Sequence, residues 1–285
     1  MEIRKIKKIV TGHQTQDGAG VHLTRVISQP DVYDFDPFLM LDAFDSYSPD
    51  DYIPGFPWHP HRGIETVTYL ISGDIEHGDS LGNRGNILDG CCQWMTAGGG
   101  IIHQEMPQPV PHMLGVQLWV NLPQKDKMAI PKYRDIRSEN IPEIRSEKYS
   151  VRLLSGYMDD TSGAIQGDYV PITFLDVQVA PEESFSMQTL PENTVFIYIV
   201  SGAGQFGTSE DFHVSRQALL FEKGDTFSVH AKNDPLRFLF FSGPPLGEPI
   251  AWGGPIVMNT RQELDTAFRE LQEGTFIKTK RVTFG

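Results

Sequence analysis

The sequence predicts an all-β chain of two barrels closed by one C-terminal helix, and three observations carry that prediction. Short segments rich in Val, Ile, Phe and Tyr recur throughout and end in Gly, Asp, Asn or Pro, as antiparallel strands do. The 27 glycines and 20 prolines are spread along all 285 residues, which suits many strands joined by turns. Two strand-like segments end alike, at Ser72-Gly73 and at Ser201-Gly202, and each is followed by a turn and another strand, which hints at a duplicated barrel.

Glu65–Ser72, Gly115–Leu122, Pro171–Val179, Val195–Ser201 and Leu236–Ser242 exemplify the strands. The helix is the exception. Thr260 with Glu263 forms a capping box, Leu264, Ala267, Phe268 and Leu271 share one face, and Gly274 closes the segment, so a helix is expected over 260–273. Pro123 to Ser150 is polar, charged and broken by Pro131 and Pro142, which marks it as the connection. The expected domains are 1–135 and 145–285, the helix belonging to the second.

Composition excludes several classes. A hydrophobic fraction of 39% supports folded cores. A formal charge of −13 repels phosphate backbones, so no direct nucleic-acid contact is expected, and Arg4, Lys5, Lys7 and Lys8 read as a solvated edge strand. No apolar run is long enough for a bilayer, and no secretory h-region follows the N-terminus. Cys91 and Cys92 are adjacent, so their side chains point to opposite faces of a strand and make a poor staple. A cytoplasmic, reducing location is the expectation.

The chemistry concentrates in two segments. In WHPHRGIETVTYLISG, His59 and His61 stand two apart, which on a strand puts both on one face roughly 7 Å apart. Counting on by twos gives Glu65 and then an apolar lining. In WMTAGGGIIHQEMP, His103 and Glu105 repeat the spacing after Gly98-Gly99-Gly100, a run that permits a sharp turn or close backbone approach. On neighbouring strands the two pairs would form a small quadrilateral able to hold one first-row metal ion. Nitrogen and oxygen donors without thiolate favour Fe(II), Mn(II), Ni(II) or Cu(II), with zinc also accommodated. Strand parity does not separate Glu65 from Glu105 as the carboxylate ligand.

Other motifs carry less. GAGQFG at 202–207 has the outline of a dinucleotide fingerprint, but no helix opens at its third glycine, so a hairpin turn is expected. The second half has no HxH pair; Ser186 and Gln188 fall where one might be sought, and no metal site is expected there. His77, His112, His213 and His230 read as ordinary surface or core residues. His112, close after the second ligand pair, is the best candidate among them for a place beside the site.

WHPHRGIETVTYLISGDIEHGDSLGNRG, QWMTAGGGIIHQEMP, LGVQLWVNLP and GEPIAWGGPIVMNT together resemble the pirin family of the cupin superfamily, over nearly the whole chain. The resemblance implies a bicupin: two stacked barrels with one metal, usually iron, in the N-terminal one. It implies His59, His61, His103 and Glu105 as ligands, so that Glu65 passes to a supporting position. It also implies kinship with quercetin 2,3-dioxygenases, which open a flavonol ring with O2. Glu105 would then be both ligand and proton acceptor, with Gln93, Met95 and Gln117 beside the site. The alternative implied by the family is a non-catalytic, redox-responsive protein that regulates another protein.

Overall fold

The computed structural model describes residues 2–279. The expected continuous domains give way to two discontinuous units. One comprises residues up to His13, 33–37 and 139–245; the other comprises 14–32, 38–138 and the described chain from Leu246 onward. The boundaries 1–135 and 145–285 are therefore corrected at both ends. Ile6–Thr11 pairs antiparallel with Gln217–Phe221, more than two hundred residues away. The helix Arg261–Gln272 packs with the unit that holds most of the N-terminal half, not with the second half as expected. Local spacing cannot reveal either exchange, because long-range pairing creates both.

Each unit is built from a seven-stranded and a four-stranded antiparallel sheet. In the unit rich in N-terminal residues the large sheet runs Lys132–Ile136, Cys92–Thr96, Ile64–Ser72, Met113–Asn121, Phe38–Ser46, Val21–Ile27, His13–Asp17. Its small sheet runs Phe56–His61, Ile101–Pro107, Ile75–Asp79, Arg84–Ile87. In the other unit, Thr194–Ser201 takes the third place that Ile64–Ser72 holds in the first. The two Ser-Gly ends thus belong to equivalent strands of a repeated cupin barrel.

The two interiors differ chemically. The unit centred on 139–245 is filled by Phe185, Phe206, Phe227, Phe238 and Phe240 with Val, Ile and Leu around them. Ser184–Gln188 and Thr226–Ala231 occupy the sheet places of the two histidine strands, and they send Phe185, Phe227 and Val229 inward. GAGQFG lies on the strand Ala203–Phe206 and the turn after it. In the other barrel, buried His61, Glu65, Thr68, His77, Asp79, Gln93, His103 and Glu105 accompany the apolar core. So many buried polar groups are costly unless something binds them.

The helix is capped as expected: Thr260 accepts from the Glu263 N–H and the Glu263 carboxylate accepts from the Thr260 N–H. Leu264 and Ala267 face a small core with Ile256, Met258 and Phe276. Among the described residues no helix is long and apolar enough to cross a membrane.

Candidate metal centre

Two neighbouring strands of the small sheet bring the histidines together. His103 lies directly opposite His59, and Ile101 opposite His61. On its other side the His103 strand pairs with Ile75–Asp79, so that His103 opposes Asp79 and Glu105 opposes His77. The donor nitrogens of His59, His61 and His103 lie within 4.8 Å of one another. The ring centroids are 4.3 to 5.0 Å apart.

The hydrogen bonds of this trio fit a bound cation. His59 Nδ1 donates to the Pro57 carbonyl at 2.9 Å, and His61 Nδ1 donates to the Pro255 carbonyl at 3.1 Å. Each ring therefore carries its proton on Nδ1 and presents a bare lone pair on Nε2. Those two Nε2 atoms face each other at 3.0 Å. Two lone pairs at that distance repel unless a cation lies beside both, and a ligating histidine usually donates its far N–H in this way. His103 is fully buried, and neither of its ring nitrogens has a hydrogen-bond partner among the described residues. Burial and the neighbouring imidazoles pull His61 down to about 3 and hold His103 well below the usual histidine range, which keeps both rings in the neutral, ligating form.

Glu105 is placed differently from the histidines. It is buried beside them, but its carboxylate lies outside the three-histidine group. The strand pairing slips between His103 and Glu105, so Glu105 opposes Phe56. A bulge of this kind re-aims a side chain, which simple two-residue counting does not anticipate. Gln117 Nε2 donates to both carboxylate oxygens, at 3.1 and 2.8 Å, and Thr68 Oγ1 donates to one at 3.1 Å. Gln117 also accepts from the Trp119 indole, whose ring meets His61 edge-on at 5.0 Å.

The remaining expected neighbours divide. Glu65 is fully buried and accepts from Thr96 Oγ1 at 2.6 Å. Gln93 donates to the Tyr133 hydroxyl at 3.3 Å, and Met95 belongs to an apolar cluster with Leu39, Ile64, Ile101 and Trp119. His112 is a correction: it stacks on Tyr47 and pairs with Asp45 at 2.9 Å, away from the trio. The strand that begins at Met113 starts at Ser46 on its neighbour, so closeness to His103 in sequence does not become closeness in space.

The histidine that does reach the trio is His77, set aside in the sequence as ordinary. Its ring centroid is 5.4 Å from that of His103, and it stacks on Tyr133 at 4.5 Å. Asp79 lies 3.6 Å from its Nε2. The signal was present, since His77 and Asp79 share the two-residue spacing of the ligand pairs.

The family model for Pirin matches residues 20–120, and that for the Pirin C-terminal cupin domain matches 174–277. A pirin-like protein of Caulobacter vibrioides is 42% identical over 279 residues, covering 97% of this chain and all of its own. A Pseudomonas aeruginosa protein, named provisionally as a quercetin 2,3-dioxygenase, is also 42% identical, with 95% of this chain and 97% of that one covered. The crystal structure of a quercetin 2,3-dioxygenase from Acinetobacter baumannii superposes with a TM-score of 0.88 at 30% identity, covering 96% of this chain and 98% of that one. With its repeated cupin barrels, its histidine trio in one of them and relatives matched from end to end, the chain belongs to the pirin family.

Proposed function

We propose that this protein is a metal-dependent dioxygenase that acts with O2 on flavonol-like aromatic substrates, with iron(II) as its resident ion. The observation that carries the reading is the pairing of three clustered imidazoles with a carboxylate held by Gln117 and Thr68. His59, His61 and His103 would hold the ion, with Glu105 as the fourth ligand. The same donors also accommodate Mn, Ni, Cu or Zn.

When bound, the ion supplies Lewis-acid activation of a chelating oxygen ligand. Glu105 accepts the proton of the substrate hydroxyl, and Gln117 and Thr68 keep its carboxylate in the orientation for that transfer. Trp119, which meets His61 edge-on, belongs with Met95 and Leu39 to one apolar cluster, and apolar surroundings of this kind suit a flat aromatic ring better than a sugar. The relatives named for quercetin dioxygenation support this substrate class. A cytoplasmic setting suits two cysteines that form no disulfide.

The test is O2 consumption by the iron-loaded protein with a panel of flavonols, using catechols and sugars as controls. Flavonol-dependent uptake matched by carbon monoxide release is expected. Absence of uptake with every flavonol overturns the catalytic reading.

One observation favours a regulatory reading instead. His59 is only half-buried, so the state of the ion would be readable at the surface of a chain carrying a charge of −13. In that case a protein partner is retained differently by Fe(II)- and Fe(III)-loaded protein, and phenolic turnover is negligible.

A further inference from the structure

His61 and Arg62 are braced by residues nearly two hundred positions downstream. The Pro255 carbonyl accepts a hydrogen bond from His61 Nδ1. The Val257 N–H donates to the Arg62 carbonyl at 3.1 Å, and Arg62 bridges to Ile256 in parallel. Trp252 packs at 5.8 Å on Trp119, which in turn meets His61.

Arg62 itself binds three pieces of chain. Its guanidinium donates to the Gly99 carbonyl at 2.9 Å and to the Phe276 carbonyl at 2.8 Å, and it lies 4.2 Å over the Phe276 ring. It also pairs with Glu270 at 2.7 Å. Gly99 belongs to the turn that leads into His103. Arg62 is 2% exposed, and a buried guanidinium is a poor choice for packing alone, because its desolvation is costly. Its geometry joins the end of one ligand strand, the turn before the other, and the C-terminal segment.

Resting on the metal-site reading above, we propose that Ala251–Ile277 is a strap that positions His61 and His103, latched by Arg62 and Glu270, and that it governs how long the site keeps its metal. The physical link is orientation. Without Pro255 as acceptor, the His61 ring is free to change tautomer and to rotate, and its Nε2 lone pair no longer points beside that of His59. Losing such a supporting partner commonly lowers metal affinity about 10–100-fold. Glu270 is the accessible end of the latch: its side chain is 20% exposed and also pairs with Lys278 at 2.7 Å. It can therefore be altered without touching a ligand.

The experiment uses the full-length protein, Ni(II) as probe, and the variants Glu270→Gln and Glu270→Asp. Three quantities are measured: the Ni(II) dissociation rate into excess chelator, the Ni(II) ligand-field spectrum, and the melting temperature of metal-free protein. For Glu270→Gln, release about ten-fold faster with a shifted spectrum is expected, at one ion per chain and with a nearly unchanged metal-free melting temperature. Glu270→Asp, which keeps the charge, falls between that variant and wild type. Release at the wild-type rate overturns the strap alone. So does a metal-free melting temperature that drops as far as the loaded one, since that marks a purely structural role. A wild-type protein that takes up no Ni(II) overturns the site and the strap together.

Discussion

His59 Nε2 and His61 Nε2 face each other at 3.0 Å while both rings donate through Nδ1 to backbone carbonyls. The pair is set for an ion and is poorly satisfied without one. Adding Fe(II) or Ni(II) should therefore stabilise the wild-type fold, by about 2.7 kcal/mol at a hundred-fold excess over Kd. His61→Ala should lose both stoichiometric metal and that stabilisation, as read by elemental analysis and thermal melts. A His61→Ala protein that still melts higher with metal places the ion elsewhere.

Gln117 supplies two of the three hydrogen bonds that hold Glu105. Gln117→Ala should retain the metal and lower kcat for flavonol cleavage about 10–100-fold, with a smaller change in KM. Steady-state O2 uptake on metal-matched samples decides it, and an unchanged kcat removes Glu105 orientation from the mechanism.

Lys127 provides a pH test. Lys127 is 3% exposed, and its ammonium donates to Gly63 O, Asn121 Oδ1 and Val257 O. Burial pulls it down to about 7, with Glu248 and Glu263 opposing the shift. Between about 7 and 10.5 the unfolded chain then binds more protons than the folded one, so stability rises with pH across that window. Relative to Lys127→Met, wild type should gain roughly 2–3 kcal/mol between pH 7 and pH 9, at 1.36 kcal/mol per unit. Urea midpoints at the two values measure it. A flat difference means that the three acceptors hold the lysine protonated throughout.

Gly63 sits where only glycine fits. Its φ is +77°, and a Cβ there would meet the Val257 carbonyl at 1.9 Å. Gly63→Ala should cost on the order of 3 kcal/mol or more, because it combines a strained backbone with a clash against another backbone. Chemical denaturation of the metal-free protein tests this apart from any loss of metal.

How far the sequence could be read depended on the range of the cause. The histidine pairs were legible because strand alternation is local, and the helix was legible because Thr260 and Glu263 announce its start. The slip between His103 and Glu105 was not, since a bulge arises from the pairing of two strands. His112 misled because it lies just before the strand Met113–Asn121, whose first residue pairs with Ser46 and not with a histidine strand. His77 obeyed the spacing rule that found the ligands, and its isolation from a second histidine hid it. The exchange of chain ends was invisible to any local pattern, because Ile6–Thr11 and the C-terminal segment each find partners far along the chain.

That exchange has a consequence for how the protein is made. Pro255, the acceptor for His61, lies 152 positions after His103. At about 5–20 residues per second a ribosome needs roughly eight to thirty seconds to cross that gap. During this interval the three histidines already exist as nascent chain, but one of them lacks the carbonyl that orients it. The carbonyl that orients His61 thus comes into being well after the three histidines it helps to arrange, and the ring gains its fixed direction only once the chain has grown past Pro255.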